Sequence, residues 1–110
     1  MTVHLQRELE QLKKNILALC TIVEEQVRDA VRALLDRNVE LAKNVEQRDD
    51  EIDRREVEVE EECLKILALY QPVAVDLRFI VSALKINNDL ERIGDLAVNV
   101  AKKAVTFCSE

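Results

Sequence analysis

The sequence predicts an all-α fold, an elongated antiparallel three-helix bundle resembling a spectrin repeat. Its 110 residues include one Gly and one Pro, and a sheet protein with so few would have almost nothing to turn with. Apolar residues recur at alternating steps of three and four over long stretches, the heptad signature of packed helices. Two short breaks separate three such stretches, and short connections make neighbouring helices antiparallel.

The first helix is expected over residues 3–35, with a seam of Leu5, Leu9, Leu12, Ile16, Leu19, Val23, Val27, Ala30 and Leu34. It breaks at Asp36-Arg37-Asn38, where Asn38 can cap a second helix over 39–69 and put Glu40 in its positive first turn. That helix has the narrowest apolar stripe. Val45, Ile52, Val59 and Ile66 fall seven apart, and the seam positions between them are mostly charged up to Leu64. At Tyr70-Gln71-Pro72, Pro72 disfavours helix at Gln71 and suits the first turn of a third helix over 73–107. The third seam runs unbroken through Phe79, Ala83, Ile86, Leu90, Ile93, Ala97, Val100, Ala104 and Phe107. Together the helices make one domain over 1–110.

Composition narrows the class of function. The longest uncharged runs, such as Leu67 to Val75, fall short of the ~18 to 20 residues that span a bilayer. The N-terminus shows no basic stretch followed by an apolar one, so no signal peptide is visible and a cytoplasmic location without membrane insertion is expected. Cys20, Cys63 and Cys108 are odd in number and far apart, which points to reduced, packed thiols. A formal charge of −6, from 22 acids and 16 bases, opposes the counterion release behind nucleic-acid affinity and favours cations or basic protein surfaces as partners.

The middle helix carries carboxylates where it lacks core residues. At 100° per residue Asp49, Asp53, Glu56 and Glu60 share a strip beside its apolar seam, and Glu91 and Asp95 share a flank of the third helix. With the second turn centred near residue 71, facing positions sum to about 142, which brings Asp49 and Asp53 level with Glu91 and Asp95. The same count about the first turn brings Glu24 level as well, although equal height does not fix direction. Clustered carboxylates repel one another unless a cation offsets them. All-oxygen ligation suits Mg²⁺, Ca²⁺ or Mn²⁺, and carboxylate-rich iron or zinc clusters use the same donors. The plainer reading is a solvated acidic face interleaved with Arg48, Arg54 and Arg55.

No enzyme is expected. His4, the one histidine, lies near the N-terminus, so the Glu-x-x-His pairs of di-iron bundles are absent. Ser82 and Ser109 have no His nearby to act as base, and there is no Gly-rich phosphate loop. Gly94 costs a helix about 1 kcal/mol relative to Ala. Its place between Glu91 and Asp95 marks either a close approach by a helix or ligand cluster, or a tolerated packing glycine.

The strings Leu90-Glu91-Arg92-Ile93-Gly94-Asp95 and Gln71-Pro72-Val73-Ala74-Val75-Asp76-Leu77-Arg78, with the Asp53 to Cys63 segment, closely resemble the PhoU family of phosphate-response regulators. The resemblance implies a three-helix unit and a cytoplasmic, non-enzymatic adaptor. Such an adaptor is a negative regulator of the phosphate-starvation response, acting between a phosphate ABC transporter and a sensor histidine kinase. It also implies a multinuclear iron or zinc cluster on acid-x-x-x-Asp motifs, met here by Glu91-x-x-x-Asp95 and Asp49-x-x-x-Asp53. Family members usually carry two tandem bundles. This chain shows one, so either two chains pair to rebuild the tandem form or this is a free-standing domain or fragment; a homodimer is expected, with Leu77, Ile80, Val81 and Leu84 offering a second apolar face on the third helix. Two alternatives remain: a metal-binding or metal-sensing protein, and a purely structural helical oligomer.

Overall fold

The computed structural model describes residues 2–109 and the side chains of 3–108; Met1 and the Ser109 hydroxyl lie outside the described residues. Helices α1 (Thr2–Asp36), α2 (Val39–Tyr70) and α3 (Ala74–Ser109) pack side by side, in a rod of 59 × 17 × 17 Å. No described helix is long and apolar enough to cross a membrane.

Both turns are made without glycine. Arg37, at φ 53°, takes the left-handed conformation after α1, and the Asn38 N–H donates to the Ala33 carbonyl at 2.9 Å, closing a Schellman turn. The Asn38 Oδ1 then accepts from the Leu41 N–H at 3.1 Å and caps α2. At the other end Gln71, at φ 44°, ends α2 and its N–H donates to the Leu67 carbonyl. One expectation is corrected here: Pro72 is buried in the connection and α3 starts two residues later, at Ala74. The left-handed Gln71 has already turned the chain, so Pro72 serves the link rather than the helix's first turn.

Each helix presents one buried line to the other two. On α1 the line is Leu9, Leu12, Ile16, Leu19, Val23, Gln26, Ala30 and Ala33. Val27, expected in the seam, is displaced outward and Gln26 takes its place, fully buried, with Nε2 donating to the Val45 carbonyl at 2.7 Å. On α3 the line is Ile80, Ala83, Asn87, Leu90, Gly94, Ala97, Ala101 and Ala104. The expected seam shared only Ala83, Leu90, Ala97 and Ala104 with it; Ile86, Ile93 and Phe107 are exposed. Two heptad lines run beside each other on α3, and the one broken by Asn87 and Gly94 faces inward. Ile80, expected on an outer face with Leu77, Val81 and Leu84, is therefore core, and Leu84 is half-buried against it.

The core falls into two parts. Leu12, Leu19, Ile52, Ile66 and Ile80 fill one half, and alanines with Val45 fill the other. Between them Gln26, Asp49 and Gly94 stand at one height, a polar layer that separates large side chains from small ones. The cysteines are unpaired; Cys63 is fully buried, and burial pushes its thiol up to about 11, keeping it inert at neutral pH.

Candidate metal centre

The inward line of α2 runs Val45, Asp49, Ile52, Glu56, Val59, Cys63 and Ile66, each buried except the half-buried Asp49, so Asp49 and Glu56 occupy positions where a heptad wants apolar residues. Both meet the gaps in α3. The Asn87 Nδ2 donates to the Glu56 carbonyl at 2.9 Å. A Cβ added at Gly94 would stand 3.9 Å from both Asp49 Oδ1 and Glu56 Oε1. The pairs Asn87 with Glu56 and Gly94 with Asp49 each sum to 143, close to the expected register. Two acids and two small or amide residues thus replace the larger apolar contacts of an ordinary α2/α3 seam.

Outside this pair the other acids gather. Asp53, Glu56, Glu60, Glu91 and Asp95 line one groove between α2 and α3, of about 320 Å³, with Val57 and Asn87. Of the five candidate ligands, Asp53, Glu91 and Asp95 therefore share a groove; Asp49 does not line it, and its Oδ1 lies beside Gly94, as does Glu56 Oε1. Glu24 does not join them. It is exposed, and its carboxylate accepts from Arg28 at 3.1 Å one turn along α1; the register count gave its height, but it points away from α2 and α3. Glu56, which shares the acidic strip, is the buried member of the group, only 5 % exposed.

The electrostatics follow from burial and like charge. Burial, then Asp53, Glu91, Asp49 and Asp95, push the Glu56 carboxyl up to about 7. Burial also raises Asp49, with Asp53, Asp95 and Asp50 adding to it and Lys102 offsetting part. Asp53 is raised by burial, then by Asp95 and Asp50. Asp49 Oδ1 and Asn87 Oδ1 are buried without a protein partner, acceptors that an isolated protein fold would normally satisfy. Among the described residues no three His, Cys, Asp or Glu side chains are arranged to hold one ion. To share one ion, the exposed carboxylates of Asp53, Glu91 and Asp95 would have to close toward Glu56 and Asp49, which surface rotamers allow.

The remaining groove, between α1 and α2, is a different kind of surface. Arg48 donates to Asp29 at 2.6 Å, both half-buried, and Asp50, Glu51 and Arg54 border the same depression. Its acids have bases among them.

A family model described as the PhoU domain matches residues 16–104. The chain is 48% identical over 103 residues to a phosphate-specific transport system accessory protein PhoU homolog of Pseudomonas aeruginosa, covering 94% of this chain and 43% of that protein. A protein of the same description from Aquifex aeolicus is 44% identical over 104 residues, covering 94% and 47%. The crystal structure of PhoU from Pseudomonas aeruginosa superposes with a TM-score of 0.92 at 47% identity, covering 94% of this chain and 50% of that one. The chain thus spans about half the length of the relatives it matches. With the family match across most of its helices and that structural agreement, the chain belongs to the PhoU domain family.

Proposed function

We propose that this chain is a cytoplasmic regulator of phosphate uptake that works by docking rather than by chemistry. In this reading it represses the phosphate-starvation response by contacting the ATPase of a phosphate ABC transporter, a sensor histidine kinase, or both. The relatives' description as phosphate-specific transport accessory proteins supports the uptake role. The observation that carries the mechanism is the acidic groove: five carboxylates along one α2/α3 groove, of which the buried Glu56 stands at a core position, as does the half-buried Asp49 one heptad before it. A chain selected only for stability would fill those positions with aliphatic residues.

The same reading gives the groove a cation. Asp49, Asp53, Glu91 and Asp95, joined by Glu56, would hold an iron or zinc cluster, with Mg²⁺ or Mn²⁺ suited to the same oxygen donors. Bound there, the metal would neutralise the crowded carboxylates and present a positive site to an anion or a partner's acid. The protein's own part is to keep Gly94 bare so that Asp49 and Glu56 stay reachable. Two copies pairing to present two such grooves complete the picture.

The experiment is affinity capture of the full chain from phosphate-replete source cells. Recovery of the transporter ATPase or the kinase is the expected result, weakened for Glu91→Gln/Asp95→Asn. Recovery of neither, with protein folded and metal-loaded, would favour metal binding as the function in itself, since the groove supports that second reading independently.

A further inference from the structure

The third groove, between α1 and α3, is apolar at the Phe79 end, and α3 carries its second heptad line there. Ile16, Leu17, Phe79 and Ile86 line a depression of about 340 Å³ at one end, with the Lys13 ammonium 5.5 Å from the centre of the Phe79 ring. Phe79, Ile86, Ile93, Val100 and Phe107 are spaced by sevens, so the stripe that begins in this depression continues down α3. On α1 Leu17 and Val31 hold the same line fourteen apart, with the exposed Glu24 midway between them. Leu17, Leu96 and Phe107 are 66, 63 and 66% exposed.

Where the stripe passes the alanine half of the core, the usual distribution is inverted. Ala30, Ala33, Ala97, Ala101 and Ala104 are inside, while Val31, Leu35, Leu96 and Phe107 are outside. The large apolar side chains of this half contribute most of their burial only if something covers them.

Charge says what covers them. α2 contains eleven acids and five bases, a net −6, the formal charge of the whole chain. The segments before and after it, which build the apolar face, are each balanced. Two copies meeting through α1 and α3 keep their acidic α2 helices on the outside, apart from each other, whereas pairing through α2 would oppose two charges of −6.

We infer that a second copy of this chain covers the α1/α3 face in a two-fold pair, leaving both acidic α2/α3 grooves open to solvent. The pairing itself is part of the reading proposed above, and the face that makes it is the new element. It moves the interface away from Leu77 and Val81, which lie elsewhere on α3.

Light scattering on the full chain under reducing conditions tests this, without phosphate, metal or partner protein. At micromolar concentration the mass is expected to be twice 12.6 kDa, and to halve in Ile86→Lys/Leu96→Lys with an unchanged helical circular dichroism spectrum. Leu64→Asp, on the exposed outer side of α2, is expected to leave the pair intact. A wild-type mass of one chain overturns the inference, as does a pair that survives the double lysine variant or dissociates with Leu64→Asp. Either result leaves the captured-partner test of the regulatory reading standing, because that test reads binding of a different protein.

Discussion

The two flanks of α3 lie on either side of one buried line and have opposite character. Toward α2, Asn87, Glu91 and Asp95 face a line of acids; toward α1, Phe79 and Ile86 face Ile16 and Leu17. Between them Ile80, Leu90 and Ala97 are buried. A heptad repeat therefore fixes that a helix packs, while the partner helix fixes which of two adjacent lines goes inside. The acidic flank costs stability through buried charge, and the apolar flank leaves hydrophobic surface unburied. A free-standing domain optimised for stability would have neither; in the proposed reading each answers to a different partner, a cation on one side and a second chain on the other.

The largest test of that contrast sets Leu90 against Ile93, three residues apart on α3. Leu90 is 8% and Ile93 39% exposed. Leu90→Ala is expected to cost about 2 to 5 kcal/mol in urea unfolding. Ile93→Ala should cost under about 1 kcal/mol when read below the concentration at which chains pair; equal losses would mean that the inner line is misassigned.

Next comes the buried carboxylate. The Glu56 carboxyl rises from an ordinary 4.5 to about 7 in the folded chain, so the folded state holds its proton more tightly than the unfolded state does. Its contribution is most favourable below pH 4.5, is lost as pH rises toward 7, and is constant above, a change of about 3 kcal/mol. Asp49 and Asp53 are raised too and act in the same direction. Glu56→Gln should flatten the pH 4.5 to 7 slope of metal-free protein measured by denaturant unfolding. An unchanged slope would show that Glu56 is ionised and solvated.

Gly94→Ala should sharpen the same side. The added Cβ would meet Ile52 Cγ2 at 3.8 Å and the two acid oxygens at 3.9 Å, ordinary contact distances. The helix gains about 1 kcal/mol of propensity, so thermal unfolding should move upward, while metal uptake falls because the methyl covers Asp49 and Glu56. A loss of stability would mean that α2 and α3 approach more closely than the structure describes. Smallest is Arg37→Gly, remote from both flanks: relieving the left-handed Arg37 should stabilise by about 0.5 to 1 kcal/mol without altering metal or pairing.

Much of this was legible in the sequence, for physical reasons that also mark where legibility stops. The scarcity of Gly and Pro, the repeats of three and four, and the Asn38 cap define three helices, because helix periodicity is written locally. The acidic strip was legible as i, i+4 spacing, and antiparallel counting set its level against Glu91 and Asp95. The inner line of α3 was not, because Asn87 and Gly94 look like defects until Glu56 and Asp49 are seen to oppose them. Glu24 shows the complementary limit: register gives height along the rod, and only the packed helices give direction around it. Arg37 and Gln71 were silent as turn residues, since neither type is a usual choice for the left-handed region.

The central claim is that the α2/α3 groove is built for a cation and is more than a solvated acidic face. Elemental analysis of chelator-free protein, beside Asp49→Asn/Asp95→Asn, tests it most directly. The account predicts iron or zinc at one or more equivalents per chain, with metal lost from the variant and a rise in melting temperature on metal addition to the wild type alone. Wild-type protein with no bound metal, and a melting temperature that iron, zinc, Mn²⁺ and Mg²⁺ all leave unmoved, would contradict it.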